Sequence, residues 1–287
     1  MNVQFDNVRK KFGSQTALNS LSFTMNGPKI VGLLGRNGAG KTTALNMMAG
    51  CIFPDNGSIV VNGSSPFAQP NNVCLINESG NFKKDFAIRE TLKSASLFYP
   101  NWDQKRAEEL LELFHLKKSK KVKSLSKGME SGLGITVGLA SYSPVTIFDE
   151  PYIGLDAAAR SRFYDLLIEE YERQPRLFIL STHLIDEAAK LFEDVFIIHK
   201  GALLLHQDVE TLRSMSFSIT GTKKDVTEYL NGKAPIHRKE FAGRITAYVY
   251  GSEWNRHEAE LYRLDTDSIP IQELMVHLTD SRTGGKK

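Results

Sequence analysis

The sequence predicts an α/β fold with a largely parallel sheet covered by helices, an all-helical insertion and a small C-terminal α+β domain. In the first part of the chain, short apolar runs alternate with helix-like segments, and this order is typical of such a sheet. Three of the runs, "IVGLL", "VTIF" and "LFIL", are apolar almost throughout, as strands buried on both faces are. The 287 residues suffice for one large domain and one small one.

The first two thirds of the chain contain eight predicted strands and one long interruption. The strands are expected at 2–8, 18–25, 30–34, 58–62, 73–76, 145–148, 177–180 and 195–199. Between residues 88 and 140 the strand pattern gives way to helical periodicity, as in "AEELLELFHL". This segment is the predicted all-helical insertion.

The pattern changes again beyond residue 208. A strand is predicted at "FSITG", a helix at "KKDVTEYLNG", a hairpin at "RKEFAGRITAYVYG", and helices near 254–263 and 271–278. We therefore predict a first domain at 1–211, with its helical subdomain at about 88–140, and a small α+β domain at 212–287.

Composition and charge exclude several classes of protein. Hydrophobic residues make up 41% and charged residues 24%, as in ordinary globular proteins, and a net charge of +3 is too mild to indicate nucleic acid as a partner. Cys51 and Cys74 form no CxxC pattern, so neither a disulfide framework nor a zinc site is indicated. The start of the chain lacks the apolar core of a signal peptide, and the longest apolar runs are strand-sized. We expect a cytosolic chain that leaves any membrane crossing to another subunit.

The stretch "GRNGAGKTT" carries the strongest chemical signal. It fits G-x-x-x-x-G-K-[ST] directly after the strand "IVGLL" and before the helix-like "ALNMMAG", the context that a phosphate-binding loop requires. Its residues are Gly35, Arg36, Asn37, Gly38, Ala39, Gly40, Lys41, Thr42 and Thr43. Backbone N–H groups and the helix N-terminus would face the phosphates of a nucleotide. Lys41 would reach the last two of these phosphates, and Thr42 would offer its hydroxyl to Mg²⁺. The alternative reading is a glycine-rich turn before a helix.

Two carboxylates, Asp149 and Glu150, stand at the end of the buried strand "VTIF". Adjacent residues on a strand point to opposite faces, so we expect different roles for them. Asp149 is predicted to hold Mg²⁺, and Glu150 to polarise the water that attacks the γ-phosphate. Two solvated acids at a strand end are the alternative.

Two further side chains are candidates for contact with a nucleotide. In "LFILSTHLIDEA" the strand delivers His183 to its tip, where the imidazole could sense the γ-phosphate or simply end a strand. Phe12 lies upstream of the phosphate loop in a polar stretch with little strand character. Its ring could stack on adenine or serve in packing.

Taken together, the phosphate loop, "LSKGM", "DEP", "GLD" and "STH" resemble the nucleotide-binding subunit of an ABC transporter over residues 2–211. The resemblance implies a P-loop ABC ATPase core, with a RecA-like mostly parallel sheet and an antiparallel β part. It also implies that "LSKGM" stands where the family has "LSGGQ", a signature that closes over the ATP held by a second ATPase subunit. Ser126 and Gly128 match its core contacts, whereas Lys127 and Met129 depart from it. Asp156, in "GLD", matches the loop that couples the two sites.

The family also has a glutamine after the strand that precedes its helical insertion. Here "VCLINESGNF" offers Asn77 or Glu78 at that place, and Glu78 is the favoured candidate for contact with Mg²⁺ or water. A carboxylate cannot donate a hydrogen bond as an amide can, so the contact with a transmembrane subunit would be tuned differently. We expect that subunit to dock near Glu78 and residues 82–86.

Within the family, "LSKGM", "LFYPNWD" and the small C-terminal domain are most similar to bacterial exporter ATPases of the kind that exports phenol-soluble modulins or serves bacitracin resistance. This likeness implies an ATP-hydrolysing subunit that binds ATP and Mg²⁺ and pairs with a copy of itself or a paralogue. It would power a separate transmembrane permease at the cytoplasmic face of the membrane, exporting peptides, antibiotics or other amphipathic compounds. The alternatives are a soluble ABC ATPase of translation or DNA repair, and a slow regulatory subunit.

Overall fold

The computed structural model describes residues 1–281, which contain thirteen strands and ten α-helices. The strands are β1 (Asn2–Phe12), β2 (Gln15–Asn26), β3 (Lys29–Leu34), β4 (Asn56–Val61), β5 (Val73–Ile76), β6 (Val145–Asp149), β7 (Leu177–Ser181), β8 (Asp194–His199), β9 (Ala202–Asp208), β10 (Ser216–Thr222), β11 (His237–Phe241), β12 (Arg244–Tyr250) and β13 (Asp265–Ser268). The helices are α1 (Lys41–Met48), α2 (Ile88–Phe98), α3 (Gln104–Leu113), α4 (Lys127–Ala140), α5 (Ala157–Arg173), α6 (Ile185–Ala188), α7 (Val209–Ser214), α8 (Lys223–Leu230), α9 (Arg256–Leu261) and α10 (Ile271–Ser281). Within this described part, no helix combines the length and the apolar character that crossing a membrane requires.

The main sheet has six strands in the order β5-β6-β7-β3-β8-β9. The neighbours β5 and β6, β6 and β7, and β7 and β3 pair in parallel, so their carboxyl ends meet at one edge. β6 and β7 are buried at every position, because helices cover both faces of a parallel sheet. This arrangement confirms the predicted α/β class and brings the polar residues that follow β3, β6 and β7 together.

A second, antiparallel sheet has the order β2-β1-β4. β1 alternates buried and exposed residues, and its inward Phe5 stacks on Phe23 of β2 with ring centroids 4.7 Å apart. These residues join α1 and the inner side of the main sheet in one apolar cluster. The strand β1 continues to Phe12, so the expectation that Phe12 lies in a stretch with little strand character is wrong: pairing with Gln15 of β2 keeps the backbone extended despite the polar side chains.

The segment 88–140 contains three helices, α2, α3 and α4, and no strand lies between residues 88 and 140 of the described chain. Asp103 caps α3 by accepting a hydrogen bond from the Arg106 N–H, 2.9 Å, and Ser126 caps α4 in the same way. α4 is buried along nearly its whole C-terminal two thirds, as its apolar sequence predicts. The insertion is therefore attached to the sheet mainly through α4.

By contacts the chain separates into two compact units, 1–183 with 196–205, and 184–195 with the described residues from 206 onward. The second unit contains a four-stranded antiparallel sheet with the order β11-β12-β10-β13. Its own apolar core surrounds Phe217, Ile245, Tyr229 and Trp254. The predicted boundary between residues 211 and 212 separates domains that fold independently, whereas these units are defined by contacts. The predicted boundary therefore stays a prediction.

Candidate active site

The phosphate loop connects β3 to α1 at the carboxyl edge of the main sheet. Gly40, the residue before α1, has φ of +110°, and a Cβ there would lie 2.6 Å from the Ala17 carbonyl oxygen. Only glycine fits this position, because both the backbone angle and the space exclude a side chain. In the described chain no side chain caps α1, so the N-terminal amides of this helix remain suited to an anion.

Lys41 folds back over the loop that precedes it. Its ammonium donates to the Gly35 carbonyl at 2.7 Å and to the Arg36 carbonyl at 3.4 Å. Burial lowers the pKa of Lys41, and the carboxylates of Asp149 and Glu150 oppose that effect. The ammonium is thus a charge held at the loop by weak carbonyl partners, which a phosphate could replace with stronger charge-assisted bonds.

Thr42 and Asp149 meet across the edge of the sheet. The Thr42 hydroxyl donates to Asp149 Oδ2 at 2.9 Å, and Asp149 is buried as the last residue of β6. A hydroxyl and a carboxylate beside a phosphate loop are hard oxygen ligands of the kind that Mg²⁺ prefers.

Glu150 is turned sharply away from the direction of β6. The strand ends at Asp149, and Glu150 has φ of +52°, which is uncommon for a residue with a side chain. Its N–H donates to the Ser181 carbonyl at 2.9 Å. The expectation that the two acids alternate as neighbours within one strand is therefore wrong. The left-handed turn brings both carboxylates to the same cavity.

A small polar network surrounds Glu150. His183 Nδ1 lies 2.8 Å from Glu150 Oε2, and the hydroxyl of Tyr152 donates to the same oxygen. The Tyr152 hydroxyl also contacts the Thr182 hydroxyl and accepts from the His183 N–H at 3.2 Å. Sequence reasoning missed Tyr152, because its position two residues beyond Glu150 carries no signal without the turn at Glu150.

Glu150 and His183 line one cavity of about 600 Å³ together with residues of the phosphate loop. Its wall contains Asn37 through Thr43, both carboxylates and His183, together with Phe12, Gln15, Ala17, Glu78 and Ile153. Phe12 is half exposed there, with the Lys10 ammonium 5.5 Å from its ring centroid. Glu78 reaches this wall, whereas Asn77 is engaged through its backbone with the Asn81 side chain at 2.8 Å in both directions. Of the two candidates, Asn77 and Glu78, it is Glu78 that lies at the cavity wall.

Five of the expected nucleotide contacts do not line the cavity in the described chain: Gly35 and Arg36 at the start of the phosphate loop, and Ser126, Gly128 and Asp156, which lie elsewhere. Ser126 accepts from the Met129 N–H at 3.3 Å, and Asp156 caps α5 by accepting from the Ala159 N–H at 2.8 Å. Gly128 packs tightly on the loop before α5, where a Cβ would lie 2.5 Å from the Gly154 carbonyl oxygen. None of these three side chains or backbones lines the cavity that contains Lys41.

The chain is similar to several known proteins. A family model described as ABC transporter matches residues 18–153. The Nod factor export ATP-binding protein I of Burkholderia lata is 33% identical over 208 residues, covering 69% of this chain and 68% of that protein. The bacitracin transport ATP-binding protein BcrA of Bacillus licheniformis is 31% identical, covering 70% and 68%.

A solved structure has the same fold. It is a dimeric, post-hydrolysis ATP-binding cassette bound to ADP and Pi, with a TM-score of 0.65 and 21% identity over 72% of this chain and 98% of that one. The phosphate loop, the two acids at the end of β6 and these relatives all indicate the same family. The chain belongs to the ABC transporter ATP-binding proteins, the ATP-hydrolysing subunits of these transporters.

Proposed function

We propose that this chain is the ATPase subunit of a bacterial exporter and that it drives a separate transmembrane subunit. The observation that carries the proposal is the single cavity whose wall contains Lys41, Thr42, Asp149, Glu150 and His183. The export of Nod factors and the transport of bacitracin, named for its relatives, support an amphipathic compound, peptide or antibiotic as the cargo.

ATP is the proposed substrate of this cavity. The loop Gly35 to Thr43 and the N-terminus of α1 would bind the phosphates, with Lys41 leaving its carbonyl partners for the β- and γ-phosphates. The half-exposed ring of Phe12 would stack on the base. The Arg36 backbone carbonyl accepts a hydrogen bond from the Lys41 ammonium at 3.4 Å, so Arg36 contributes its backbone to the loop.

The oxygen ligands present fit a magnesium ion. Thr42 Oγ1 and Asp149 would hold it, with Glu78 at the same cavity wall as a further ligand or water contact. When bound, Mg²⁺ would neutralise charge on the phosphates.

In the proposed reaction, a water oxygen forms a bond to the γ-phosphorus while the bond from that phosphorus to the bridging oxygen breaks. The electron pair of the broken bond stays on ADP, and Glu150 accepts a proton from the water. His183 would donate to the γ-phosphate after its Nδ1 leaves Glu150, so the imidazole would report whether that phosphate is present. These groups act by position and charge.

A second ATPase subunit completes the proposed site. Ser126 and Gly128 begin α4 outside their own chain's cavity, so the hydroxyl and the positive helix end are available to a nucleotide on another subunit. Asp156 would couple the two sites through the loop that packs on Gly128. A dimeric cassette with the same fold supports this arrangement, with a second copy or a paralogue as the partner.

The transmembrane subunit is proposed to dock beside Glu78 and residues 82–86, which precede the helical insertion. Lys83 to Asp85 are exposed, and the Lys83 ammonium lies 5.1 Å from the Phe86 ring centroid. Docking there would place the chain at the cytoplasmic face of the membrane. Residues 1–211 would form the ATPase domain and 212–287 an additional small domain.

Sedimentation velocity of the Glu150→Gln variant tests the proposal, beside an ATPase assay of the parent chain. Loss of the carboxylate should slow hydrolysis to a residual single-turnover rate and leave a nucleotide-bound dimer populated, because the amide cannot accept the proton. We expect a dimer only with MgATP, and ATP hydrolysis by the parent. A variant that binds ATP and stays monomeric would exclude the homodimer, and a parent without turnover would favour the slow regulatory subunit.

A further inference from the structure

The phenol of Tyr152 lies at the centre of the polar network around Glu150. Its ring is almost fully buried, and its oxygen contacts Glu150 Oε2 and the Thr182 hydroxyl. The same oxygen lies 3.2 Å from the His183 backbone nitrogen and 3.4 Å from His183 Nδ1. The Tyr152 and His183 rings meet edge to face at 5.7 Å. One hydroxyl thus touches both side chains that the proposed reaction uses.

Only one assignment of donors and acceptors satisfies all the hydrogen bonds of this hydroxyl. Burial and the bond to Glu150 raise the pKa of Tyr152, so the phenol keeps its single proton at neutral pH. An ionised carboxylate can only accept, and therefore the phenol donates that proton to Glu150. Its oxygen then accepts from the Thr182 hydroxyl and from the His183 N–H.

This arrangement links the ends of two neighbouring strands. Glu150 follows β6, while Thr182 and His183 follow β7. Glu150 has a positive φ and a long side chain, so its carboxylate has many orientations available unless a contact selects one. The buried phenol supplies that contact from a ring that packing holds in place, with only 4% of its surface exposed.

We propose that Tyr152 is a positioning residue for ATP hydrolysis. Its hydroxyl holds the Glu150 carboxylate and the His183 backbone at the cavity wall in the geometry from which Glu150 accepts the proton of the attacking water. The inference rests on the proposed function of Glu150 as proton acceptor. Tyr152 itself is not among the residues of the described chain that line the cavity, so it acts through Glu150 rather than on the nucleotide.

The test is steady-state ATPase kinetics of Tyr152→Phe, with the dissociation constant of a fluorescent ATP analogue measured in parallel. Phenylalanine keeps the buried ring and removes only the hydroxyl. We expect kcat to fall about 10- to 100-fold, because a misplaced group in the reacting geometry costs this much. KM and the dissociation constant should stay within about twofold, since ground-state binding does not use the hydroxyl.

The matched control is Tyr142→Phe. Tyr142 is also buried, and its ring faces the Arg176 guanidinium at 4.7 Å, away from the cavity wall. Its kcat should equal that of the parent. A comparable loss in Tyr142→Phe, or a loss in Tyr152→Phe that follows weakened ATP binding or a lower melting temperature, would overturn the positioning role.

A double-mutant cycle separates this inference from the function on which it rests. In the Glu150→Gln background, single-turnover hydrolysis should be unaffected by Tyr152→Phe, because there is no carboxylate left to position. A further 10-fold loss in that background would contradict action through Glu150. A parent whose rate is insensitive to Glu150→Gln would contradict the proposed function itself, whereas unchanged kcat in Tyr152→Phe alone contradicts only the inference.

Discussion

The ring of Phe12 is half exposed at the cavity wall, at the end of a strand whose other apolar side chains point into the core. Exposure of an aromatic ring beside a phosphate loop is the arrangement that base stacking requires. We predict that Phe12→Ala weakens binding of ATP roughly 5- to 150-fold, equivalent to about 1–3 kcal/mol of stacking. Isothermal titration calorimetry measures the change in affinity. The affinity for GTP should fall by a similar factor, because every base has a π face.

Inorganic tripolyphosphate and a second aromatic residue are the controls for Phe12. Tripolyphosphate has no base, so its affinity should not change. Phe53→Ala removes a ring that is even more exposed, stacked on Phe67 at 3.9 Å outside the cavity, and should leave ATP binding as it is. If Phe12→Ala weakened tripolyphosphate as much as ATP, the ring would support the loop instead of binding the base.

At the residue scale, sequence patterns predicted the members of the site better than their geometry. Lys41, Thr42 and Asp149 follow from a motif whose chemistry depends on spacing along the chain. The sequence predicts Glu150 as a residue within a strand, but its positive φ turns the side chain toward the cavity. No residue type in "DEP" indicates that turn. The role of Tyr152 depends on β6 and β7 lying side by side, because Thr182 and His183 are 30 and 31 residues away along the chain.

At the scale of elements, a buried ionic cluster ties the helical insertion to the sheet. Arg106 of α3 donates to Glu170 of α5 at 2.6 Å, and Arg176, at the entry to β7, lies 3.9 Å from the other carboxylate oxygen. Arg176 also donates to the Leu139 carbonyl of α4 at 2.9 Å, and its guanidinium lies between the rings of Tyr142 and Phe178. Burial lowers the pKa of Arg176 to about 10, so it keeps its charge at neutral pH.

We predict that Glu170→Gln destabilises the first unit by about 3–5 kcal/mol, because it leaves two arginines without their shared buried carboxylate. Urea unfolding followed by Trp102 fluorescence, in a Trp254→Phe background, measures the loss. The neighbouring Glu169 is half exposed, pairs with Arg162 at 3.0 Å and lies only at the margin of the cluster, 3.9 Å from Arg106, so Glu169→Gln should cost no more than about 1 kcal/mol. Equal losses in both variants would exclude a special role for the buried cluster.

Whether the sequence could predict an element depends on how deeply that element is buried. The apolar runs of β3, β6 and β7 predict those strands to within one residue, since burial on both faces leaves a continuous pattern. β13 has the sequence "DTDS" and no apolar residue, and it is a strand only because it pairs with β10. β9, "ALLLHQD", is half exposed at the edge of the sheet and shows no alternation, so it too was missed.

At the scale of the whole molecule, the two parts of the proposed nucleotide site, the phosphate loop and the start of α4, lie apart in the described chain. Lys41 lines the cavity, and Ser126 lies outside it as the N-cap of α4. Because Ser126 is exposed, its hydroxyl and the helix start can approach a phosphate on another subunit. Under the proposed function, a second subunit would supply the start of α4 that this chain's own cavity lacks.

Replacing Ser126 with aspartate or asparagine tests this view without unfolding the helix, since both are good N-caps. We predict that Ser126→Asp, made in the Glu150→Gln background, binds ATP as tightly as its parent but no longer forms the MgATP-dependent dimer, because its charge repels the partner's phosphates. Ser126→Asn should still dimerise.

Mixing Ser126→Asp with Lys41→Ala, each in an otherwise unaltered chain, should restore ATPase activity above either alone, because one of the two composite sites in the mixed dimer is intact. Absence of any recovery, with both variants folded, would contradict a site shared between two copies of this chain.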